Sequence, residues 1–449
     1  MRERPSAQLT VRPGGPLTGR FTPPGDKSIT HRAYLLGGLA EGETRVEQPN
    51  PGLDCEATLS CLAALGVPVT RHEHGVTLRG LDMRLREPDR VLECGNSGTT
   101  LRLLAGPLAA QPFLSVLAGD ASLHRRPVDR IVEPLRRMGA RLSARDQDRY
   151  PPLVVQGGEL KPIHYALPVA SAQVASALLL AGLYAAGVTR LELPVPARDH
   201  TQRMLPAFGA PVRVAEGADR GVTLEVEGPV RLRATAMRVP GDFSAAAFFL
   251  AAAAATPGAS VTAVGVGLNP TRTGLLDVLE AMGAKVTRRP QPTDSGEPYG
   301  EVTVTGPERL RAFDVPREWL PRLIDEVPAW AVAAASAEGV STLRGAEELR
   351  VKESDRLAAM AGNLSALGTA ARETPDGLII AGGRPRGGVV AAHADHRVAM
   401  ACAVLGTFSE GPVTIEDRAT IATSYPLFAG TLAALGGHVD DPAPASTRT

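Results

Sequence analysis

One pattern constrains the fold of this 449-residue chain more than any other. A short amphipathic stretch ends in a hydrophobic residue and a glycine, and a strand-like run follows at once. It occurs as CLAALGVPVT (61–70), PLRRMGARLS (134–143), MLPAFGAPVRV (204–214), VLEAMGAKVT (278–287), NLSALGTAAR (363–372) and TLAALGGHVD (431–440). The glycine stands where a helix C-cap needs positive φ. The copies recur at roughly seventy to eighty-five residues, a repeat architecture rather than chance.

A second unit alternates with the first. It is a helix of small residues, apolar on all sides, followed by Gly and a β-rich stretch. The copies are AYLLGGLAEGETRVEQ, TTLRLLAGPLAAQPFLSV, VASALLLAGLYAAGVTRLEL, AAAFFLAAAAATPGASVTAV, AWAVAAASAEGVSTLRG and RVAMACAVLGTFSEGPVTIE. A helix apolar all round belongs inside a protein. A module this small cannot bury its own face, so neighbours must pack together. Helix–strand–helix–strand modules in a chain too long for one core predict two domains of three modules each. Buried helices then form each centre and sheets the outer layer, an α/β (α+β) fold.

Composition removes several function classes. The formal net charge is zero and aromatic residues make up only 4% of the chain. Neither a nucleic-acid partner nor an anionic membrane surface is therefore expected. The cysteines Cys55, Cys61, Cys94 and Cys402 form no C-x-x-C pair, which argues against a zinc ribbon or disulfide framework and suits a reducing cytosol. The longest apolar runs fall short of the roughly 18 to 20 residues that a membrane-spanning helix needs. MRERPSAQLTVRPGG has no apolar signal core, and PAPASTRT reads as a frayed tail.

Each buried helix is preceded by a polar cluster: GDKSITHR, ECGNSGTT, ASAQ, PGDFS, LIDE and ADHR. A Walker A loop needs Gly directly before Lys, whereas Asp26 separates Gly25 from Lys27. What remains is a helix N-terminus with Ser28 as cap and Lys27 and Arg32 beside it. Such an end holds an anion through its N–H groups and the helix dipole; a solvated cap with two surface cations is the competing reading. Together the helix starts carry Lys27, Ser28, Arg32, Asn96, Ser171, Gln173, Asp242, Asp325, Glu326, His396 and Arg397. Hydroxyls, amides and cations at equivalent positions favour a shared anionic ligand. The run KESDR is read as helical, with Glu353 and Arg356 on one face and Lys352 on its flank. A surface helix with i,i+3 ion pairs is the alternative there, and an N-cap the alternative for Asp325.

The motifs GDKSITHR, GNSGTTLRLL, GDASLHRRP, ASAQVASALLLAGL, NPTRTGLL, IDEVPAWAVAAA, LRVKESDRL, ADHRVAM and TIATSYP extend over nearly the whole chain. In that order they resemble the 5-enolpyruvylshikimate-3-phosphate synthase family, and ASAQ in place of SSQ resembles its second bacterial class. The resemblance implies two similar lobes, each of three βαβαββ units with buried helices and outer sheets, the enolpyruvyl transferase fold. Residues 1–22 with 241–449 would form one lobe and 23–240 the other, with the active site in the cleft between them. The implied reaction moves the enolpyruvyl group of phosphoenolpyruvate to the 5-hydroxyl of shikimate 3-phosphate. No cofactor and no metal is implied. The expected partners are those two small molecules, for a cytoplasmic monomer.

The resemblance also assigns roles. Asp325 would be the base near the 5-hydroxyl and Glu353 a proton donor or acceptor, with Lys27 completing the catalytic set. Phosphoenolpyruvate would meet Lys27, Asn96, Gly98, Arg126, Gln173, Arg356 and Arg397. Shikimate 3-phosphate would meet Lys27, Ser28, Arg32, Ser171, Ala172 through its backbone, Gln173, Arg198, Asp325 and Lys352. Arginine suits both ligands because its planar fork grips carboxylate and phosphate by paired hydrogen bonds. Arg125 is the expected surface neighbour of Arg126. Many family members carry a lysine where this chain has Thr423, which puts one late cation in doubt. His396 reads as a packed neutral histidine and Cys94 as a small buried residue. Gly98 would wall the phosphoenolpyruvate pocket and leave the enzyme sensitive to glyphosate.

Two rivals remain open. The sister enzyme acting on UDP-N-acetylglucosamine typically carries a cysteine in the loop matching GDASLHRRP, and this loop has none. A non-catalytic phosphometabolite sensor on the same scaffold would be expected to lose the acid/base pair, yet Asp325 and Glu353 are both present.

Overall fold

The computed structural model describes residues 8–217, 221–293 and 296–441. The tail PAPASTRT lies outside them, as do the first residues of the N-terminal stretch. Each hydrophobe–glycine turn closes a helical segment and opens a strand. Gly66, Gly139, Gly209, Gly283, Gly368 and Gly436 all have φ between +81° and +107°, a region that only glycine enters at little cost.

The apolar helices are Lys27–Leu39, Gly98–Leu108, Ala172–Gly182, Phe243–Ala254, Val327–Ser336 and His396–Leu405. Every residue of Phe243–Ala254 is buried. Its composition requires this, since Ala and Phe on all sides leave no face for water.

The chain divides into two compact units. One holds Met1–Pro24, Gly241–Gln291 and Pro298–Thr449; the other holds Gly25–Pro240 and Pro292–Glu297. Each has its own apolar core. In the first unit, Phe243–Ala254, Val327–Ser336 and His396–Leu405 pack on one another. In the second, Gly98–Leu108 packs against both Lys27–Leu39 and Ala172–Gly182.

Three four-stranded sheets surround each core. In one of them, His164–Ala166 runs parallel to Gly187–Leu193. That strand pairs antiparallel with Val222–Gly228, which pairs antiparallel with Val212–Glu216. A buried helix links the first strand to the second and an amphipathic helix the second to the third, giving βαβαββ.

Three sheets borrow a strand from a distant part of the chain. Leu9–Arg12 lies between Val413–Glu416 and His438–Asp440. Thr18–Phe21 runs parallel to Ser260–Gly267, and Phe21 meets Phe249 edge-on with ring centroids 4.9 Å apart. Ala236–Arg238, at the end of the second unit, runs parallel to Glu41–Glu47 near its start. Pro292–Glu297, between the paired strands Lys285–Gln291 and Tyr299–Thr305, is grouped with the second unit. Within the second unit Glu297 is buried against His200, with Oε1 2.8 Å from Nδ1.

A Cβ at Gly283 would meet nothing within 4 Å, so substitution there reports backbone conformation only. Gly283→Ala is expected to cost about 1–2 kcal/mol of stability, and Gly283→Asn less, because Asn tolerates positive φ better. Urea denaturation midpoints decide it. Equal midpoints for Gly283→Ala and the unaltered chain would show that the turn does not require glycine.

Candidate functional site

Among the described residues, five of the six apolar helices are capped by a side chain one residue before their first turn. Asp26 accepts from the Ile29 N–H at 2.9 Å and Ser97 from Thr100 at 3.1 Å. Ser171 accepts from Val174 at 3.5 Å, Asp242 from Ser244 at 2.8 Å and Asp395 from Arg397 at 2.9 Å. The helix Val327–Ser336 starts after Glu326 without such a bond.

One expectation and one alternative reading are corrected here. Ser28 is the second helical residue rather than the cap, because Asp26 already offers a carboxylate at the position from which the first-turn N–H groups can be reached. Asp325 is no cap either. It lies in the 3-10 turn Ile324–Glu326, and its carboxylate faces two arginines.

In the second unit, the turn before Gly98–Leu108 is stitched to the GDASLHRRP loop. Asn96 Nδ2 donates to Asp120 Oδ2 at 2.8 Å, and Arg126 Nη1 donates to the Asn96 carbonyl at 2.8 Å. Arg126 is buried and Arg125 exposed. Gln173 joins this group: its Nε2 donates to Thr99 Oγ1 at 3.0 Å, and its Oε1 accepts from Arg102 Nη1 at 2.9 Å. Arg102 also donates to the Pro127 carbonyl at 2.9 Å. A Cβ on Gly98 would stand 2.5 Å from Arg102 Nη1 and 3.2 Å from Arg126 Nη2. Contact thus brings Asn96, Gly98, Arg126 and Gln173 together.

The first helix carries a separate group. Lys27 Nζ pairs with Asp54 at 3.1 Å. Arg32 donates to Thr201 Oγ1 at 2.7 Å, to Ser176 Oγ at 2.8 Å and to the Ser28 carbonyl at 2.9 Å. Ser176 in turn donates to the Ala172 carbonyl at 2.6 Å, which ties Arg32 to the start of Ala172–Gly182 below Ser171. Arg198 is half-buried in the segment leading to the short helix His200–Met204. One residue before Arg32, His31 is wholly buried with Nδ1 2.7 Å from Thr58 Oγ1. Burial first, then Lys27 and Arg32, holds its imidazole well below the usual pKa of 6.5, against a weaker pull from Asp26.

In the first unit, Arg356 is wrapped by three carboxylates. It meets Asp395 Oδ2 at 2.8 Å, Asp325 Oδ1 at 3.1 Å and Glu353 Oε2 at 2.7 Å. Burial opposes its charge, but Asp395, Glu353 and Asp325 outweigh that and raise its pKa. Arg397 donates to the Asp325 carbonyl at 3.0 Å and approaches its carboxylate at 3.8 Å. Only the last residue of KESDR is helical, contrary to expectation: Asp355 caps the helix Arg356–Ala366, so Lys352 to Asp355 precede it. The Glu353–Arg356 contact forms across that boundary instead. Lys352 pairs with Glu348 at 2.7 Å rather than with this cluster.

His396 is buried at the first position of its helix. Cys94 is buried, and contact with Cys61 together with burial pushes its thiol up. Thr423 Oγ1 donates to the Thr420 carbonyl at 2.8 Å. Sequence reasoning missed Arg102, Asp395, Asp120, Ser176 and Thr201. The available signal for Arg102 was a single arginine inside TTLRLLAGPLA; for Asp395 it was the aspartate of ADHR. Among the described residues, no group of three or more His, Cys, Asp or Glu side chains is arranged to hold a metal ion.

Comparison with known proteins gives a consistent result. The sequence pattern of the family described as EPSP synthase (3-phosphoshikimate 1-carboxyvinyltransferase) matches residues 11–432. A 3-phosphoshikimate 1-carboxyvinyltransferase of Pelotomaculum thermopropionicum is 49% identical over 421 residues, 93% of this chain and 96% of the relative. One from Herpetosiphon aurantiacus is also 49% identical, over 93% of this chain and 97% of its own. A solved EPSP synthase from Acinetobacter baumannii superposes with a TM-score of 0.84 at 42% identity, covering 97% of this chain and 100% of that one. The enolpyruvyl transferase NikO of Streptomyces tendae, at 18% identity and a TM-score of 0.75, covers 98% of this chain and 100% of its own and shares the fold.

His31 supplies a pH test. A histidine whose folded pKa is depressed binds its proton in the unfolded chain first, so stability falls as pH drops below about 6.5. Above that pH the group contributes no slope. His31→Asn is expected to lose this share of the acid sensitivity, so its stability gap to the unaltered chain narrows between pH 7.5 and pH 5.5. Parallel stability curves for the two proteins would show that folding leaves the His31 pKa unshifted.

Proposed function

The chain belongs to the EPSP synthase family, and from that premise we propose how its own residues carry the reaction. Its activity is transfer of the enolpyruvyl group of phosphoenolpyruvate to the 5-hydroxyl of shikimate 3-phosphate, with release of phosphate. The product leads to chorismate and the aromatic amino acids.

The chemistry is addition followed by elimination. The methylene carbon of phosphoenolpyruvate takes a proton while the 5-hydroxyl oxygen bonds to the adjacent carbon and gives up its own proton. The tetrahedral adduct then loses phosphate by C–O cleavage, and a methyl proton returns to the protein. An acid, a base and several fixed cations suffice for this.

Asp325 takes the hydroxyl proton in this reading, and Glu353 exchanges the proton at the methylene carbon. The observation that carries the assignment is Arg356, which holds both carboxylates on one guanidinium, at 3.1 Å and 2.7 Å. Lys27 completes the catalytic set. Lys27, Asn96, Gly98, Arg126, Gln173, Arg356 and Arg397 receive phosphoenolpyruvate. Shikimate 3-phosphate meets Lys27, Ser28, Arg32, Ser171, the Ala172 backbone, Gln173, Arg198, Asp325 and Lys352. We assign both units to the same reaction, residues 1–22 with 241–449 supplying one set of groups and 23–240 the other. The enzyme is read as a cytoplasmic monomer without nucleic-acid or membrane partner, in keeping with zero net charge. Among the described residues no helix is long and apolar enough to cross a membrane.

Phosphate release from phosphoenolpyruvate is expected with shikimate 3-phosphate and not with UDP-N-acetylglucosamine. Release only with the second acceptor would overturn the assignment. In the same assay Asp325→Asn and Glu353→Gln should each lower kcat by about 10²- to 10⁴-fold. Near-normal turnover in both would return them to a purely structural role.

Gly98 gives an independent test. A methyl group there presses on Arg102 and Arg126, two guanidiniums fixed by carbonyl and amide oxygens. Glyphosate should inhibit competitively with phosphoenolpyruvate, and Gly98→Ala should weaken it by about ten- to a hundredfold while raising the KM for phosphoenolpyruvate less. Equal inhibition of both proteins would remove Gly98 from the pocket wall.

A further inference from the structure

His31 has no part in the reaction above, yet it heads a run of buried hydrogen bonds whose direction can be worked out. The Thr100 hydroxyl donates to Ser97 Oγ at 2.7 Å, with the Asp54 carbonyl at 3.3 Å as its other acceptor. A hydroxyl carries one proton. The 2.7 Å contact between Thr58 Oγ1 and Thr100 Oγ1 is therefore donated by Thr58. That spends the proton of Thr58, so the 2.7 Å contact with His31 must be donated by Nδ1–H. Nε2 then carries the lone pair of a neutral ring, and among the described residues it has no hydrogen-bond partner.

The surrounding charges agree with a neutral ring. Lys27 and Arg32, on the same helix, oppose a proton on His31, and Asp26 favours one. On the facing helices, Asp54 is engaged by Lys27 and Arg102 by Gln173. The run crosses three helices, from His31 in Lys27–Leu39 through Thr58 in Leu53–Ala64 to Thr100 in Gly98–Leu108. It ends on Ser97, the cap of the last.

We propose that His31 is a positioning residue: through Thr58 and Thr100 its Nδ1–H fixes the Ser97 cap, and with it the Asn96–Gly98 turn that receives phosphoenolpyruvate. The assignment rests on the reading of that turn as part of the phosphoenolpyruvate site. Each link donates to the next, so the run has one arrangement. A reversed donor at any point would set two protons or two lone pairs face to face in a buried site.

The test uses the full-length enzyme. With ¹⁵N-labelled histidine, His31 is expected at pH 7 as the neutral Nδ1–H tautomer; an Nε2–H tautomer or a cation overturns the proposal. Thr58→Val removes the central hydroxyl at nearly constant shape. It should raise the KM for phosphoenolpyruvate about tenfold, the usual scale of a lost buried hydrogen bond, and that for shikimate 3-phosphate less than about twofold. His31→Leu should behave like Thr58→Val. His31→Asn, whose amide N–H takes the place of Nδ1–H, should stay within about threefold of the unaltered enzyme. Lowered stability in Thr58→Val without a shift in KM overturns the proposal. Asn96→Ala separates the two levels. If it leaves the KM for phosphoenolpyruvate unchanged, the reading of the turn fails and the proposal with it. If Asn96→Ala raises that KM while Thr58→Val and His31→Leu do not, only the relay fails.

Discussion

A helix with no polar face can meet water only at its ends, and the rest of this structure depends on that constraint. Enclosing Phe243–Ala254 or Ala172–Gly182 requires neighbours on every side, which three modules per unit supply. Once the sides are closed, the first-turn N–H groups still need acceptors. Asp26, Ser97, Ser171, Asp242 and Asp395 answer that need. The polar residues that accumulate there become the chemically competent part of an otherwise apolar interior. Site and core are thus two results of one burial problem.

Asp395 shows how closely these results are joined. Its Oδ1 accepts from the Arg397 backbone N–H and caps a helix, while its Oδ2 holds Arg356 at 2.8 Å. A buried charge is tolerated when it is paired and hydrogen-bonded, and Arg356 reaches that condition with three carboxylates. A comparable knot joins Arg272, Ser244, Asp242 and Glu326. Glu326 also stands 3.9 Å from Arg397, linking this knot to the Asp325 side.

Much of this was legible in the sequence, for definite reasons. The hydrophobe–glycine turns could be read because positive φ is a local demand that few residues meet. The apolar helices could be read because their composition admits no surface position. KESDR misled because i,i+3 spacing is as compatible with a helix boundary as with a helix, and Asp355 is the better cap. Ser28 reads as a cap by residue type, yet Asp26 two residues earlier can cap as well, and only geometry chooses. Arg102 was hidden in an apolar run, where one arginine does not disturb the pattern. The strands Leu9–Arg12 and Ala236–Arg238 pair with partners some two hundred to four hundred positions away, and no local periodicity carries that information. The grouping of Pro292–Glu297 with the second unit left no trace in the repeat for the same reason.

The borrowed strands also bear on how the chain is made. Residues 25–240 emerge from the ribosome as a continuous stretch that holds nearly all of one unit, so that unit can begin to fold during synthesis. Leu9–Arg12 and Thr18–Phe21 are translated well before their sheet partners, which arrive only with Ser260–Gly267, Val413–Glu416 and His438–Asp440. These early strands are among the last to find their place. His200 likewise waits for Glu297, nearly a hundred residues behind it. An unpaired N-terminal strand exposed for that long is an edge seeking a partner, and this chain pairs it within its own later sheets.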